Sequence, residues 1–420
     1  MNRSTQPAIV TVAYNRPHSL ARLLGSLERA SYADEKDIPL VISIDGSDDT
    51  VYAVASAFEW PHGEKKIIRR AQHLGLRMHV VSCGDLSDVY GSVLILEDDM
   101  YVGRGFYGFA RQALEKYRDD SNVAGISLYS YSYNEFAKAP FMPVADGFDA
   151  YFMQVPSSWG QVWTRGQWEK FRAYYDGHSG ELSADHRIPH AVSEWPTSTS
   201  WKKYLYRYMV ENDLYFVFPK VSHATNFGEV GTHYRNQTQV LQVPIAYNGG
   251  AVEYKLPSFQ ESSQKYDAFL EPRPELFEAM GVELPFEYEV DLYGLKNLDG
   301  CTRPYVLSVK PCREPQRSFG IRLMPLILNI AGNVQGTDLA LAPREAFVNT
   351  AETYSPLISK QLQPSGYGAG HSAGYSAGYI DGRQSVLRWG SSKLSRWIIQ
   401  PARLIRSRFR PEGRWRDTVQ

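Results

Sequence analysis

The first hundred residues of the chain return again and again to one pattern: a short apolar run, a polar turn, then apolar residues at helical spacing. Ala8–Ala13 is a β-rich apolar run closed by the turn Tyr14-Asn15-Arg16-Pro17, and Leu20, Leu23, Leu24 and Leu27 then mark one face of a helix over 19–30. Leu40–Ile44 is a second run, ended by Asp45-Gly46-Ser47-Asp48-Asp49, a turn that can also cap a helix starting near Thr50. Residues 65–70 predict a short third strand, 74–83 a helical segment, and 92–96 a strand buried on both faces. Alternation of this kind predicts an α/β fold, a Rossmann-like, mainly parallel sheet flanked by helices. In such sheets ligands collect at the carboxyl ends of the strands. Three polar clusters follow three of the runs: Tyr14-Asn15-Arg16, the 45–49 turn and Glu97-Asp98-Asp99. They are expected to converge on one crevice.

Glu97-Asp98-Asp99 is the most informative of the three. Acids in succession after a buried strand place like charges at steps of about 3.5 Å, which is unfavourable without a cation or a helix amino terminus to offset them. The structural alternative is a solvated strand end that caps the next helix. Hard cations such as Mg²⁺ and Mn²⁺ take oxygen ligands, typically one or two carboxylates together with substrate phosphates. A diphosphate substrate therefore fits the pattern, the cation screening charge on the departing phosphate. The competing phosphate architectures are absent: there is no G-x-x-x-x-G-K-[ST] and no G-x-G-x-x-G after a strand. G-x-S-x-G is missing too, which weakens a hydrolase reading.

Beyond residue 120 the chain reads as mixed strands, aromatic loops and helices, then a polar, proline-bearing stretch over 236–300. Residues 301–350 suggest a small β-rich appendage with strands at 305–309 and 326–330. Four segments are expected: 1–240, a catalytic α/β domain; 241–350, the appendage; 351–382, a linker; and 383–420, a basic tail. The linker carries glycine at 366, 370, 374, 378 and 382, a spacing that suits either a close-packed helix face or a flexible connection. Net charge over 420 residues is only -1, but the tail holds ten basic side chains against two acidic ones, a local +8 that leaves -9 for the rest. An acidic body argues against nucleic-acid binding. Arg, Trp and aliphatic residues interleaved in the tail are instead the composition of an interfacial helix on an anionic membrane surface. Three cysteines and the lack of a signal-like amino terminus lead us to expect a cytoplasmic protein, at the inner face of the plasma membrane if the tail binds lipid. No apolar run is long enough to span a bilayer.

The order Ile9-Val-Thr-Val-Ala-Tyr-Asn-Arg16-Pro, Val41-Ile-Ser-Ile-Asp45-Gly-Ser and Leu94-Ile-Leu-Glu97-Asp98-Asp99 resembles the GT-A nucleotide-sugar glycosyltransferases of the bacterial family 2 type. It is also similar to the eukaryotic N-acetylglucosaminyltransferase I branch, which begins complex N-glycans. The likeness continues through Pro156-Ser-Ser-Trp159-Gly-Gln-Val-Trp163, Glu194-Trp195-Pro196 and Phe218-Pro219-Lys-Val-Ser222-His-Ala-Thr-Asn226-Phe-Gly228 to Gly231-Thr232-His233, so that it covers about 7–235. Each motif alone is weak, and their order is what makes the match specific.

The resemblance implies a GT-A fold that moves a sugar from a UDP-sugar donor to an oligosaccharide or lipid-linked saccharide acceptor. It implies that Arg16 and Asp45 hold the nucleoside, that Asp99 ligates Mn²⁺ or Mg²⁺, that Asp98 contacts the ribose or a metal-bound water, and that Glu97 faces the donor. His73 and Arg77 fall where relatives make further donor contacts, Trp159 can stack on a sugar, and 226–233 matches a loop that closes over the donor. Inverting transfer also needs a base for the acceptor hydroxyl. Relatives carry paired aspartates after a Trp-Pro element, whereas this chain has Lys202-Lys203 behind Trp201. Glu194, directly before Trp195-Pro196, and Asp185 are the carboxylates expected to substitute. Two other readings stay open on sequence: a sugar-nucleotide nucleotidyltransferase, and a non-catalytic polysaccharide- and membrane-binding scaffold.

Overall fold

Ala8–Ala13 (β1), buried at every residue, lies inside the main sheet of the computed structural model. The structure describes residues 6–33, 35–178, 180, 182–229 and 237–348. Leu40–Ile44 (β2), Lys65–Arg69 (β3) and Ser92–Glu97 (β4) complete the first half of this sheet: β1 pairs in parallel with β2 and β4, and β2 pairs in parallel with β3. The crossovers carry the helices Pro17–Glu28 (α1), Asp49–Ala57 (α2) and Leu76–Gly84 (α3) and the single turn Ser87–Tyr90 (α4). Helix α1 buries Leu20, Leu23, Leu24 and Leu27, as their spacing predicts. Asp48 caps α2 by accepting from the N–H groups of Thr50 (2.9 Å) and Val51 (3.0 Å).

The second half is more mixed. Met100–Val102 (β5) and Phe106–Tyr117 (α5) lead to Val123–Ser127 (β6), the hairpin of Tyr133–Asn134 (β7) with Ala139–Pro140 (β8), then Ala150–Met153 (β9) and Gln161–Thr164 (β10). Arg165–Gly177 (α6), His190–Ser193 (α7) and Lys202–Glu211 (α8) precede Tyr215–Pro219 (β11), Ala224–Asn226 (β12) and Lys265–Tyr266 (β13). The nine-stranded sheet runs β13-β9-β11-β6-β10-β4-β1-β2-β3. Because β10 is antiparallel to both β4 and β6, those two strands point the same way, and β11 is parallel to β6. The carboxyl ends of β1, β2, β4, β6 and β11 therefore share one edge with the amino end of β10. Mainly parallel and flanked by helices, the sheet is the one the sequence predicts.

The aromatic wealth of the chain is largely core: Trp163, Trp168 and Trp201 are fully buried. Gly84 of α3 allows α6 to approach, since a Cβ there would lie 2.0 Å from the Trp168 ring.

Pro274–Ala279 (α9), Tyr288–Asp291 (β14), Tyr305–Ser308 (β15), Arg317–Phe319 (β16), Ile327–Ala331 (α10) and Leu339–Pro343 (β17) form the β-rich appendage, a four-stranded sheet ordered β14-β15-β17-β16. The strand expected at 305–309 is present. The one expected at 326–330 is a helical turn instead. Asn329 accepts from the N–H groups of Arg322 (2.7 Å) and Leu323 (2.9 Å) and donates to the carbonyls of Leu323 (2.8 Å) and Leu326 (2.9 Å), so one side chain winds the segment into a turn. A five-residue apolar run does not distinguish strand from helix. The 236–300 stretch is also less irregular than its composition suggests, since β13 extends the main sheet and β14 the small one. A single apolar cluster runs from Val10 and Trp163 to Phe277 and Leu341, so appendage and main sheet share a core. The glycine repeat and the basic tail lie outside the described residues. Among the described residues no helix is long and apolar enough to cross a membrane.

Candidate active site at the strand ends

Parallel register brings the sequence-predicted clusters together. The Asp45 N–H donates to the Ala13 carbonyl (2.9 Å) and the Asp98 N–H to the Val12 carbonyl (3.0 Å), so the turns after β2 and β4 flank the turn after β1. Arg16 leaves that middle turn and holds both acids. Its Nη2 pairs with Asp98, its Nε donates to Asp98 Oδ2 (3.3 Å), and its Nη1 donates to Asp99 Oδ2 (3.2 Å). The fork is a bidentate guanidinium–carboxylate contact with a third bond to the neighbouring acid. Burial pulls the guanidinium's pKa down, but the charges of Asp98 and Asp99 outweigh it and leave the pKa raised.

One cation does not neutralise three acids. Glu97 keeps some surface exposure but has protein on most sides, and burial followed by the charges of Asp99 and Asp98 pushes its carboxyl up to about 8. Asp98 is pushed up to about 6 by burial, against the pull of Arg16. Asp99 Oδ1 is buried and has no hydrogen-bond partner among the described residues. A bare anionic oxygen beside two other carboxylates suits a hard divalent cation. Among the described residues no three His, Cys, Asp or Glu side chains are grouped as a metal cage, so a cation held here would draw most of its ligands from outside the chain.

Asp45 turns inward. Its Oδ1 accepts from the Leu74 N–H (2.7 Å), and its Oδ2 accepts from the Gly75 N–H (3.0 Å) and lies 2.9 Å from His73 Nδ1. The carboxylate thus anchors the 73–75 turn at the crevice, and there the His73 ring stacks on Tyr14 at 4.3 Å. Tyr14 (41% exposed) and His73 (52%) leave a flat aromatic surface on the β2 side. Arg77 points away to packing: its Nε donates to the Tyr175 hydroxyl (2.6 Å), its Nη1 donates to the Thr197 carbonyl (2.6 Å), and its guanidinium lies over the rings of Tyr175 and Tyr204.

The 224–229 segment is tied to the triplet. β12 pairs with β5, and the Phe227 N–H donates to the Asp99 carbonyl (3.0 Å). Arg22 of α1 sits over the Phe227 ring at 4.1 Å and pairs with Glu229, which also accepts from Ser19 Oγ (2.8 Å). Gly228 has φ +57°, and a Cβ on it would meet the Thr238 carbonyl oxygen at 1.8 Å, so only glycine fits. Residues 230–233 of the expected donor loop lie outside the described residues.

On the β6 side, Trp159 packs against Tyr129 (4.7 Å) and Tyr131 (5.9 Å). The Lys202 ammonium lies 5.7 Å from the Trp159 ring centre and 5.5 Å from that of Trp195. Burial lowers its pKa although Glu135 and Glu97 work to raise it. Lys203 is structural, donating to the carbonyls of Ser193 (2.6 Å) and Trp195 (3.0 Å). Of the two expected bases, Asp185 is held by Arg187, with Oδ2 2.8 Å from Nη2; the charge and hydrogen bonds of that arginine outweigh burial and keep its pKa low. Glu194 is 71% exposed, 3.7 Å from His190 Nδ1. Neither forms a hydrogen bond or ion pair with the triplet. Sequence reasoning missed Glu135, Glu229 and Arg22, and took Lys202 only for a departure from a motif. One signal was present for Lys202: a lysine opening a helix faces the positive end of the helix dipole.

No family model and no curated protein matches the sequence. Among solved structures the chain is similar in part to the mannosyltransferase PcManGT from Pyrobaculum calidifontis in complex with GDP-Man and Mn²⁺, at 12% identity and TM-score 0.28, over 41% of this chain and 47% of that one. It is likewise similar to S. aureus TarS, at 11% identity and TM-score 0.33, over 52% of this chain and 36% of that one. A TarS 1-349 structure in complex with UDP gives the same identity and TM-score and is covered over 59% of its length. The chain thus spans between 36% and 59% of the length of these proteins.

Proposed function

We propose that the protein is a metal-dependent glycosyltransferase that moves a sugar from a UDP-sugar to a polysaccharide or lipid-linked oligosaccharide acceptor with inversion. One observation carries this reading: three successive acids at a parallel strand end, the last two bridged by Arg16, with Asp99 Oδ1 buried and unpartnered among the described residues. A diphosphate with its divalent cation supplies the charge and the ligands that such an oxygen lacks. The ordered motifs over 7–235 agree with it.

In this reading Asp99 holds Mn²⁺ or Mg²⁺, whose charge offsets that of the departing diphosphate. Arg16 fixes Asp98 and Asp99 beside each other, so that neither carboxylate has to reorganise when the donor arrives. Asp98 meets the ribose side and Glu97 the transferred sugar. Asp45 acts on the nucleoside through the turn it anchors, presenting the Tyr14–His73 stack as a plate for the base. Arg77 supports the donor side by packing α3 on α6, and Trp159 walls the sugar side. The tail 383–420 would bring the enzyme to an anionic membrane where lipid-linked acceptors reside.

The test is calorimetry of UDP with Mn²⁺. Wild type is expected to bind only when metal is present, and Asp99→Ala is expected to lose at least a hundredfold in affinity. Metal-dependent UDP binding by Asp99→Ala equal to that of wild type would sink the assignment.

A further inference from the structure

The small sheet of the appendage carries a cavity of about 420 Å³, lined by Thr302, Arg303, Tyr305, Arg344, Glu345 and two prolines. Strand register builds it. β15 and β17 are antiparallel with Tyr305 opposite Pro343, and the Arg344 N–H donates to the Pro304 carbonyl (3.0 Å), so the segment entering β15 and the segment leaving β17 lie side by side. Arg303 and Arg344 are thereby brought to one end of the sheet. The volume falls among those of small-ligand sites, about 300–1,000 Å³. No residue of the strand-end crevice belongs to it.

Its polar groups are held in place but not used up. Arg344 Nη1 donates to the Cys301 carbonyl (2.6 Å), which sets the guanidinium beside the 301–303 segment. Arg303 forms no hydrogen bond or ion pair with the described residues, and Glu345 pairs with neither arginine within 4.0 Å. The Tyr305 ring is fixed by Phe286, stacked on it at 3.9 Å, and by Gln316, whose Nε2 donates to its hydroxyl (3.4 Å). Guanidinium forks take carboxylate or phosphate groups. A bare anion would be repelled by Glu345 and would fill little of the space. A neutral sugar gives its hydroxyls to Glu345 and Thr302 and its C–H faces to Tyr305 and the prolines, but leaves the arginines without a partner. A sugar that carries an acidic group meets every part of the lining.

We propose that this cavity is a binding site for an acidic sugar, a pyranose bearing a carboxylate or a phosphate group. Arg303 and Arg344 hold the acidic group, Glu345 accepts hydrogen bonds from the ring hydroxyls, and Tyr305 packs against the ring. The site goes beyond the transfer reaction proposed above and does not depend on it. Its residues are separate from Arg16, Asp45 and the acidic triplet, and it binds its ligand with or without a donor or a metal.

Calorimetry of the full-length protein tests the site, at low ionic strength and in EDTA so that no metal bridges an anion to the triplet. The probes are glucuronate, glucose 6-phosphate, glucose and inorganic phosphate. Saturable binding is expected for glucuronate, for glucose 6-phosphate or for both, which identifies the acidic group the site takes, and glucose and inorganic phosphate are expected to bind about tenfold more weakly. Arg303→Gln and Arg344→Gln are each expected to weaken binding of the acidic sugar about tenfold. Both side chains reach solvent, so the variants are expected to unfold at the wild-type temperature. Wild type that binds neither acidic sugar overturns the proposal. So does binding that both arginine variants keep at wild-type strength, because the anion is then held elsewhere, as on the basic tail. Inorganic phosphate bound as tightly as glucose 6-phosphate, with no binding of glucuronate, would show a bare anion site and overturn the sugar assignment.

Discussion

The region around Lys296 and the triplet after β4 both crowd carboxylates together at strand ends. Around Lys296 the chain supplies every counterpart but one. The Lys296 ammonium lies 2.5 Å from Asp267 and pairs with Glu289, while the Asp291 carboxylate accepts from the Lys296 N–H (2.9 Å) and the Ser308 hydroxyl (2.8 Å). Glu271 accepts from the Tyr293 N–H (2.7 Å), and Asp267 from the N–H groups of Phe269 (2.8 Å) and Glu271 (3.0 Å). These bonds tie the 267–271 turn, next to the edge strand β13, to β14 and β15 of the small sheet. After β4, by contrast, one arginine serves two acids at the open end of the strands, and Asp99 Oδ1 has no hydrogen-bond partner among the described residues. The first arrangement is a clamp, complete but for one oxygen of Glu271. The second is left incomplete by the described residues.

The comparison can be broken at its strongest point. Lys296→Met keeps the length of the side chain and removes the charge from among four carboxylates, so an uncompensated buried cluster remains. The expected loss of stability is about 3–5 kcal/mol, read from urea or thermal unfolding. A loss under about 1 kcal/mol would mean that the cluster is no clamp. The same logic gives the opposite sign at the other region. Asp99→Asn removes a charge from a group that shares its counter-ion, Arg16, with Asp98 and lies next to two further acids, so the unfolding temperature without ligand is expected to stay level or rise, a change within about 1 kcal/mol. A loss of 2 kcal/mol or more would show that Asp99 is built into the fold rather than held ready for a ligand.

Much of this was legible in the sequence because it is local. Alternating runs placed β1, β2 and β4, Asp48 announced its cap, and the order of the strand ends put Arg16 beside Asp98 and Asp99. What the sequence could not disclose lies in long-range pairing. Trp159 and Lys202 are far apart in the chain, and nothing in either segment says that the ammonium lies against that ring. Asp45 reads as a ligand contact, yet its oxygens are taken by the N–H groups of Leu74 and Gly75, donors on a turn whose position no local pattern specifies. The strand expected at 326–330 failed for a related reason, since the bonds of one asparagine decided what an ambiguous apolar run left open.

The smallest expected effect concerns Glu271, where the clamp is least complete. Its Oε2 is buried without a partner among the described residues, and burial, reinforced by the charge of Asp291, raises its pKa well above the ordinary 4.5. The folded state therefore keeps a proton that the unfolded chain releases above about pH 4.5. Stability drawn from that group is complete below this pH and is lost as pH rises toward the folded pKa. Glu271→Gln replaces the neutral acid with a neutral amide of the same shape and no titration. The variant is expected to match wild type within about 1 kcal/mol near pH 4, the scale of a buried polar swap, and to gain on wild type steadily between pH 5 and 8. Parallel stability curves for the two proteins across that range would show that Glu271 is ionised in the fold. The clamp would then hold one more negative charge than its donors satisfy, and the contrast with the triplet would shrink accordingly.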